Sequence, residues 1–155
     1  MLKGIILIEP KVAANVGSIA RSMKCFGFSN LIIVNKPKCL SLETAKSISK
    51  QGKDIIESVT LIENLDNIPG IKIGSISIQD NIRYNFQLCD LEDFECSEGF
   101  YLVLGRESSG LTFEEMKICA KHINISSEGK YGILNLSQAA TIIMYRLYRK
   151  SSSGK

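Results

Sequence analysis

Three short stretches of this chain are apolar at consecutive positions: residues 4–8 (GIILI), 31–34 (LIIV) and 101–104 (YLVL). A strand with one wet face alternates apolar and polar residues. One that does not alternate is buried on both faces, as in a parallel sheet covered by helices. The covering helices are legible too. Val16, Ile19, Ala20, Met23 and Phe26 recur at helical spacing, with Asn15 as the expected N-cap and Gly27 as the stop. Thr112 and Glu115 have the spacing of a capping box ahead of Met116, Cys119 and Ala120. The strongest stripe is Leu136, Ala139, Ala140, Ile143, Met144 and Leu147, followed by Arg146, Arg149 and Lys150 to complement a helix C-terminus. Weaker strands are expected at residues 59–62, 71–76 and 123–125. Strands alternating with helices predict an α/β layered fold with a mainly parallel sheet.

The 155 residues fit one domain over 1–150, with the serine-rich residues 151–155 expected as a flexible tail. A chain of this length buries roughly 70% of its unfolded surface, enough for a layered core. The balance of 19 basic against 16 acidic residues is a weak lean toward a polyanionic partner. The five cysteines fall at irregular spacings and His122 is the single histidine, so no metal site is expected and the thiols read as free, buried or partly buried groups. His122 is expected to interact with the end of the preceding helix rather than to take part in chemistry. No apolar run approaches the ~20 residues of a membrane span. The start of the chain lacks the features of a signal peptide, and the expectation is a soluble cytoplasmic protein.

Three segments place polar residues where a buried strand gives way to a helix, the usual ligand edge of an α/β sheet. The first, residues 9–21, carries Asn15 and Arg21, which a helix cap and a solvated side chain would also explain. The second, residues 104–111, brackets Arg106 and Glu107 between Gly105 and Gly110; an ordinary tight turn uses glycines as well. It matches neither the G-x-x-x-x-G-K-[ST] nor the G-x-G-x-x-G pattern, which counts against nucleotide hydrolases and dinucleotide enzymes. The third, residues 132–140, carries Asn135 and Ser137 at the start of the most amphipathic helix, where capping would account for one of them.

Taken together and in this order, the segments resemble the signature motifs of the SpoU/TrmH family of SPOUT RNA methyltransferases. Asn15, Gly17, Arg21, Gly27 and Phe28 match its first motif, Gly105, Glu107, Gly110 and Leu111 its second, and Leu134, Asn135, Leu136 and Ser137 its third. The form of residues 9–17, Gly105-Arg106-Glu107 and the run 135–139 are most similar to the TrmJ branch. The resemblance implies a C-terminal deep trefoil knot, S-adenosylmethionine (SAM) as cofactor, a homodimer, and ribose 2′-O-methylation of RNA. tRNA at the anticodon loop is the first expectation for the substrate and rRNA the second.

On that resemblance Arg21 is the main catalytic residue, with Asn15, Glu107 and Asn135 orienting it and the ribose. A guanidinium stays protonated, so positioning phosphate and stabilising a developing alkoxide suit Arg21 better than acting as base. Ser75, Leu104, Gly105, Gly110, Ile125, Leu134 and Ser137 are the implied cofactor-binding residues, and Arg83 and Arg106 the implied substrate-binding ones. Ile133 stands where the third motif usually has a serine, a departure that bears on turnover more than on fold. TrmJ-like proteins often add a C-terminal helical region, and this chain ends near the knot helix. The rival expectation is a non-catalytic SAM- and RNA-binding dimer.

Overall fold

The computed structural model describes residues 1–129 and 132–154. In chain order it contains β1 (Leu2–Ile8), α1 (Ala13–Phe26), β2 (Leu31–Val34), α2 (Leu42–Ser49), α3 (Lys53–Glu57), β3 (Thr60–Ile62) and β4 (Ile71–Ser75). These are followed by α4 (Ile78–Tyr84), β5 (Leu88–Asp90), β6 (Phe100–Leu104), α5 (Phe113–Ile118), β7 (Lys121–Asn124) and α6 (Leu136–Ser153). The strands form one sheet in the order β3-β2-β1-β6-β4-β7-β5, and every neighbouring pair is parallel.

The unbroken apolar runs are buried on both sides, as expected. In β1, Ile5 and Leu7 enter the core beneath α1 and α6, while Ile6 and Ile8 enter a second core on the opposite face. All four are at most 1% exposed. Leu102 and Leu104 of β6 join the first core and Val103 the second, so the centre of the sheet is dry on both faces. At about 25 cal/mol per Å² of apolar surface, such burial is the main favourable contribution to the fold.

Several boundaries differ from the sequence reading. α1 begins at Ala13 with Val12 as N-cap, so Asn15 lies inside the first turn, 6% exposed, and does not cap the helix. The cap is displaced because a side chain from elsewhere in the chain occupies the helix start, as described below. Gly27 does end α1, in the left-handed region at φ 80°. Gly17 faces α2 so closely that a Cβ there would lie 2.5 Å from the Ala45 carbonyl oxygen, which only glycine tolerates. The Thr112–Glu115 capping box is present in full. β7 ends at Asn124, leaving Ile125 in the loop beyond it.

α6 continues to Ser153, into the segment expected to be a flexible tail, with the hydroxyls of Ser151 and Ser152 donating to the Tyr148 carbonyl and that of Ser153 to Arg149. Lys155 lies outside the described residues. Two of the cations expected to complement the end of α6 instead tie it to the β5–β6 connection. Arg146 donates to the Glu92 carboxylate at 2.8 Å and Lys150 to that of Glu95 at 2.5 Å.

Cys119 is buried, and that burial pushes its thiol pKa up to about 12, whereas Cys25 and Cys39 are exposed, contrary to the expectation of buried thiols. His122 lies on β7, 5% exposed, and its Nε2 hydrogen bonds at 2.8 Å to the Met116 carbonyl near the end of α5. Among the described residues no helix is long and apolar enough to cross a membrane, and no group of three or more His, Cys, Asp or Glu side chains could hold a metal ion.

Candidate active site

The carboxyl ends of β4, β6 and β7 open into a cleft whose walls are the three connections that leave them and the start of α6. Six of the residues expected at a cofactor site line it: Ser75, Leu104, Gly105, Gly110, Ile125 and Leu134. They come from three separate segments that the strand order brings side by side, since β6 lies next to β4 and β4 next to β7.

The β6–α5 connection is a closed hairpin. The Arg106 N–H donates to the Gly110 carbonyl at 3.1 Å and the Gly110 N–H returns to the Arg106 carbonyl at 3.0 Å. A Cβ on Gly105 would overlap the Gly110 backbone, and Gly110 itself takes φ 67°. Both glycines are therefore dictated by the loop's own closure, and residues 105–110 all line the cleft.

Arg106 fixes this hairpin to its surroundings. Its guanidinium forms ion pairs with Glu9 and with Glu115 (2.8 Å to the latter), and also donates to the Gly110 carbonyl at 3.2 Å. Hydrogen bonding to Glu115 is the largest influence raising the arginine pKa above its ordinary value; burial opposes it and Glu9 adds to it. For Glu115, burial acts to raise the carboxyl pKa, yet hydrogen bonds from Arg106 and the Thr112 N–H together outweigh it and hold the carboxyl below the ordinary range. Glu9, at the end of β1, reaches Arg106 from a left-handed backbone with φ 44°, an uncommon conformation for a residue with a side chain. The guanidinium expected to bind substrate thus spends donors inside the chain, although Arg106 also borders the cleft.

The neighbouring Glu107 points the other way, to the start of α1. Its carboxylate accepts the Lys11 N–H at 3.1 Å and the Val12 N–H at 3.0 Å. α1 has neither a side-chain cap of its own nor an acidic residue in its first turn, so Glu107 supplies both the acceptor and the negative charge that a helix N-terminus favours. The same carboxylate lies 3.5 Å from Asn15 Nδ2, a long contact, and Asn15 Oδ1 accepts from Asn135 Nδ2 at 3.2 Å. Asn135 in turn accepts the Ser137 N–H at 2.9 Å and its hydroxyl at 2.7 Å, capping α6. One polar chain, Glu107–Asn15–Asn135–Ser137, thereby links the three segments. Ser137 does not line the cleft; it supports Asn135 from behind.

Two expected residues stand apart. Arg21 is exposed on α1 and makes no side-chain hydrogen bond or ion pair among the described residues. Arg83 is exposed near the end of α4, its guanidinium 5.1 Å from the centroid of the Tyr84 ring. Ile133 forms part of the cleft wall and is 52% exposed. The sequence reading missed Asp80 and Asn124, which also line the cleft. Asp80 accepts from the Ser77 hydroxyl at 2.9 Å while its N–H donates back to the same oxygen at 3.1 Å. The S-x-x-D spacing was the available signal. Asn124 had none, since a polar residue at the end of a short strand looks like an ordinary loop.

A sequence profile described as the SpoU rRNA Methylase family matches residues 3–145. The chain belongs to the SpoU family. It is 33% identical to the tRNA (cytidine/uridine-2'-O-)-methyltransferase TrmJ of Photorhabdus laumondii, over 92% of this chain and 62% of that protein. It is 32% identical to the tRNA (cytidine-2'-O-)-methyltransferase TrmJ of Methanocaldococcus jannaschii, over 97% of this chain and 69% of that one. The chain therefore spans a little over three-fifths to about two-thirds of the length of these SpoU relatives. Its fold is shared with the SpoU methyltransferase AviRb of Streptomyces viridochromogenes in complex with the cofactor AdoMet. The TM-score is 0.78 at 21% identity, covering 98% of this chain and 61% of that one.

Proposed function

We propose that this chain is a SAM-dependent RNA ribose 2′-O-methyltransferase acting on tRNA, at the anticodon loop as in the TrmJ branch. The observation that carries the reading is the polar chain from Glu107 through Asn15 to Asn135, running beside a glycine-walled cleft.

The cleft suits the cofactor. Its walls combine residues 105–110 with Leu104, Ile125 and Leu134, so an adenine ring and a ribose would meet both apolar and polar groups there. Ser75, Gly105, Gly110, Ile125 and Leu134 would hold it, with Ser137 fixing the loop that carries Leu134. Bound there, SAM supplies an electrophilic methyl group on a sulfonium. The chain's own contribution would be to hold the ribose hydroxyl in line with that methyl and to stabilise the charge that develops on its oxygen as the hydroxyl proton passes to solvent water.

Arg21 is assigned to that stabilisation and to the adjoining phosphate. It is exposed on α1, and the reading includes a homodimer in which α1 and α6 face the partner and residues of both subunits meet at each site. The exposed Ile142, Tyr145 and Tyr148 of α6, with Phe26 of α1 packed at a tilt 6.0 and 5.7 Å from the two tyrosines, support that assembly. Arg83 is assigned to RNA and Arg106 to holding the hairpin. The C-terminal segment is taken to pass through a loop as a deep trefoil knot, and the protein to work in the cytoplasm. A 2′-hydroxyl acceptor makes RNA rather than DNA the substrate.

The test is transfer of labelled methyl from SAM to unmodified bulk tRNA, followed by mass spectrometry of the nucleosides. A 2′-O-methylated nucleoside is the expected product. SAM binding without transfer to tRNA or rRNA would replace this reading by a non-catalytic RNA-binding dimer, the alternative that Ile133 keeps in view.

A further inference from the structure

We propose that the aromatic and cationic surface formed by α4 and α5 beside the cleft is a stacking platform for a nucleobase of the substrate RNA next to the methylated ribose. This rests on the RNA reading above and adds a recognition surface to it. Both helices leave the cleft directly: Ile78 and Asp80 of α4 line it, and α5 begins just after Gly110 and Leu111.

The platform is held from within. Phe113, 41% exposed, packs against Tyr84 with ring centroids 5.4 Å apart and against Phe86 at 5.6 Å. Phe86 rests on buried His122 at 4.5 Å, and His122 is fixed by its bond to the Met116 carbonyl. An outer ring anchored in this way loses little further freedom when a base stacks on it.

Cations sit where a phosphodiester would need them. The Arg83 guanidinium lies 5.1 Å from the Tyr84 ring and the Lys117 ammonium 5.4 Å from the Phe113 ring. Lys117 is also 3.5 Å from Glu114, but both side chains are more than half exposed and that pair is weak. Ile82, 78% exposed, continues the apolar strip one turn beyond Ile78. Aromatic faces flanked by arginine and lysine are the combination that binds single-stranded nucleic acid, with stacking for the bases and positive charge for the backbone.

The chain contains no tryptophan, so Phe113→Trp installs one indole at the platform. Unmodified tRNA should quench its emission, and an RNA made abasic at the stacked nucleotide should not. Phe113→Ala and Phe113→Leu should each weaken RNA binding by about tenfold in an anisotropy assay, with Trp restoring it and SAM affinity unchanged by calorimetry. Replacing Arg83 and Lys117 by Gln together should flatten the slope of log affinity against log salt by about 1.4, on single-strand counterion values. Wild-type affinity in Phe113→Leu with no quenching in Phe113→Trp would overturn the platform and leave the RNA reading standing. Failure of the wild-type chain to bind any RNA would overturn both.

Discussion

The Glu107 carboxylate accepts the Val12 N–H at 3.0 Å, so a residue of the β6–α5 hairpin caps a helix whose N-cap residue lies 95 positions earlier. The helix that carries Asn15 and Arg21 is thereby tied at its N-terminus to the hairpin that walls the cleft.

Replacing Glu107 by Gln keeps the shape and removes the charge. The variant should lose about 1 kcal/mol of stability from weakened bonds to the α1 N–H groups. It should lose proportionally far more methyl transfer, because an uncharged amide holds Asn15 more weakly across a contact that is already 3.5 Å long. Thermal denaturation beside single-turnover kinetics separates the two effects; equal small losses in both would make Glu107 a helix cap only.

Gly105→Ala forces a methyl group into the Gly110 backbone. The hairpin must open, at a cost of about 1–3 kcal/mol if the chain still folds. SAM affinity measured by calorimetry should fall with it. Undiminished affinity would show that the cofactor does not depend on this hairpin's closure.

The pH dependence of stability follows from Glu115. Its folded-state carboxyl is held below the ordinary range, so the unfolded chain binds more protons in acid. The stabilisation is present above the unfolded value of about 4.3 and is lost as pH falls through the lower folded value. Melting curves collected from pH 6 downward should show this loss in the wild type and a shallower one in Glu115→Gln.

Arg21→Ala should abolish methyl transfer and leave SAM affinity within a few fold, since the side chain lies outside the cleft. A variant that loses cofactor binding yet turns over at saturating SAM would assign Arg21 to the cofactor instead.

Ile133→Ser places the hydroxyl that the resemblance implies at a position that is already part of the cleft wall and half exposed. The rate of transfer should rise. An unchanged rate would show that the hydroxyl is dispensable in this chain.

What could be read in advance follows from how local each signal is. The sheet centre was legible because residues 5–8 and 102–104 are apolar on both faces, and the α5 cap because Thr112 and Glu115 satisfy each other within one turn. Asn15 was misplaced as a cap because the group that caps α1, Glu107, is remote in sequence. Arg106 looked free for substrate because its partners Glu9 and Glu115 come from two other segments. The short strand β5 and helices α3 and α4 span only three, five and seven residues, too few to display a period clearly.

The strand order also sets a timetable for synthesis. β1, β2 and β3 can pair as they leave the ribosome, each on a neighbour already made. β4 cannot: its neighbours β6 and β7 are both translated after it, and β5 pairs only with β7. β4 therefore waits unpaired until β6 has emerged at residue 104 and β5 until β7 has at residue 124, and the cleft is completed only when α6 follows. A topology so dominated by distant pairings folds slowly and late, and the nascent chain should show its greatest dependence on chaperones in that interval.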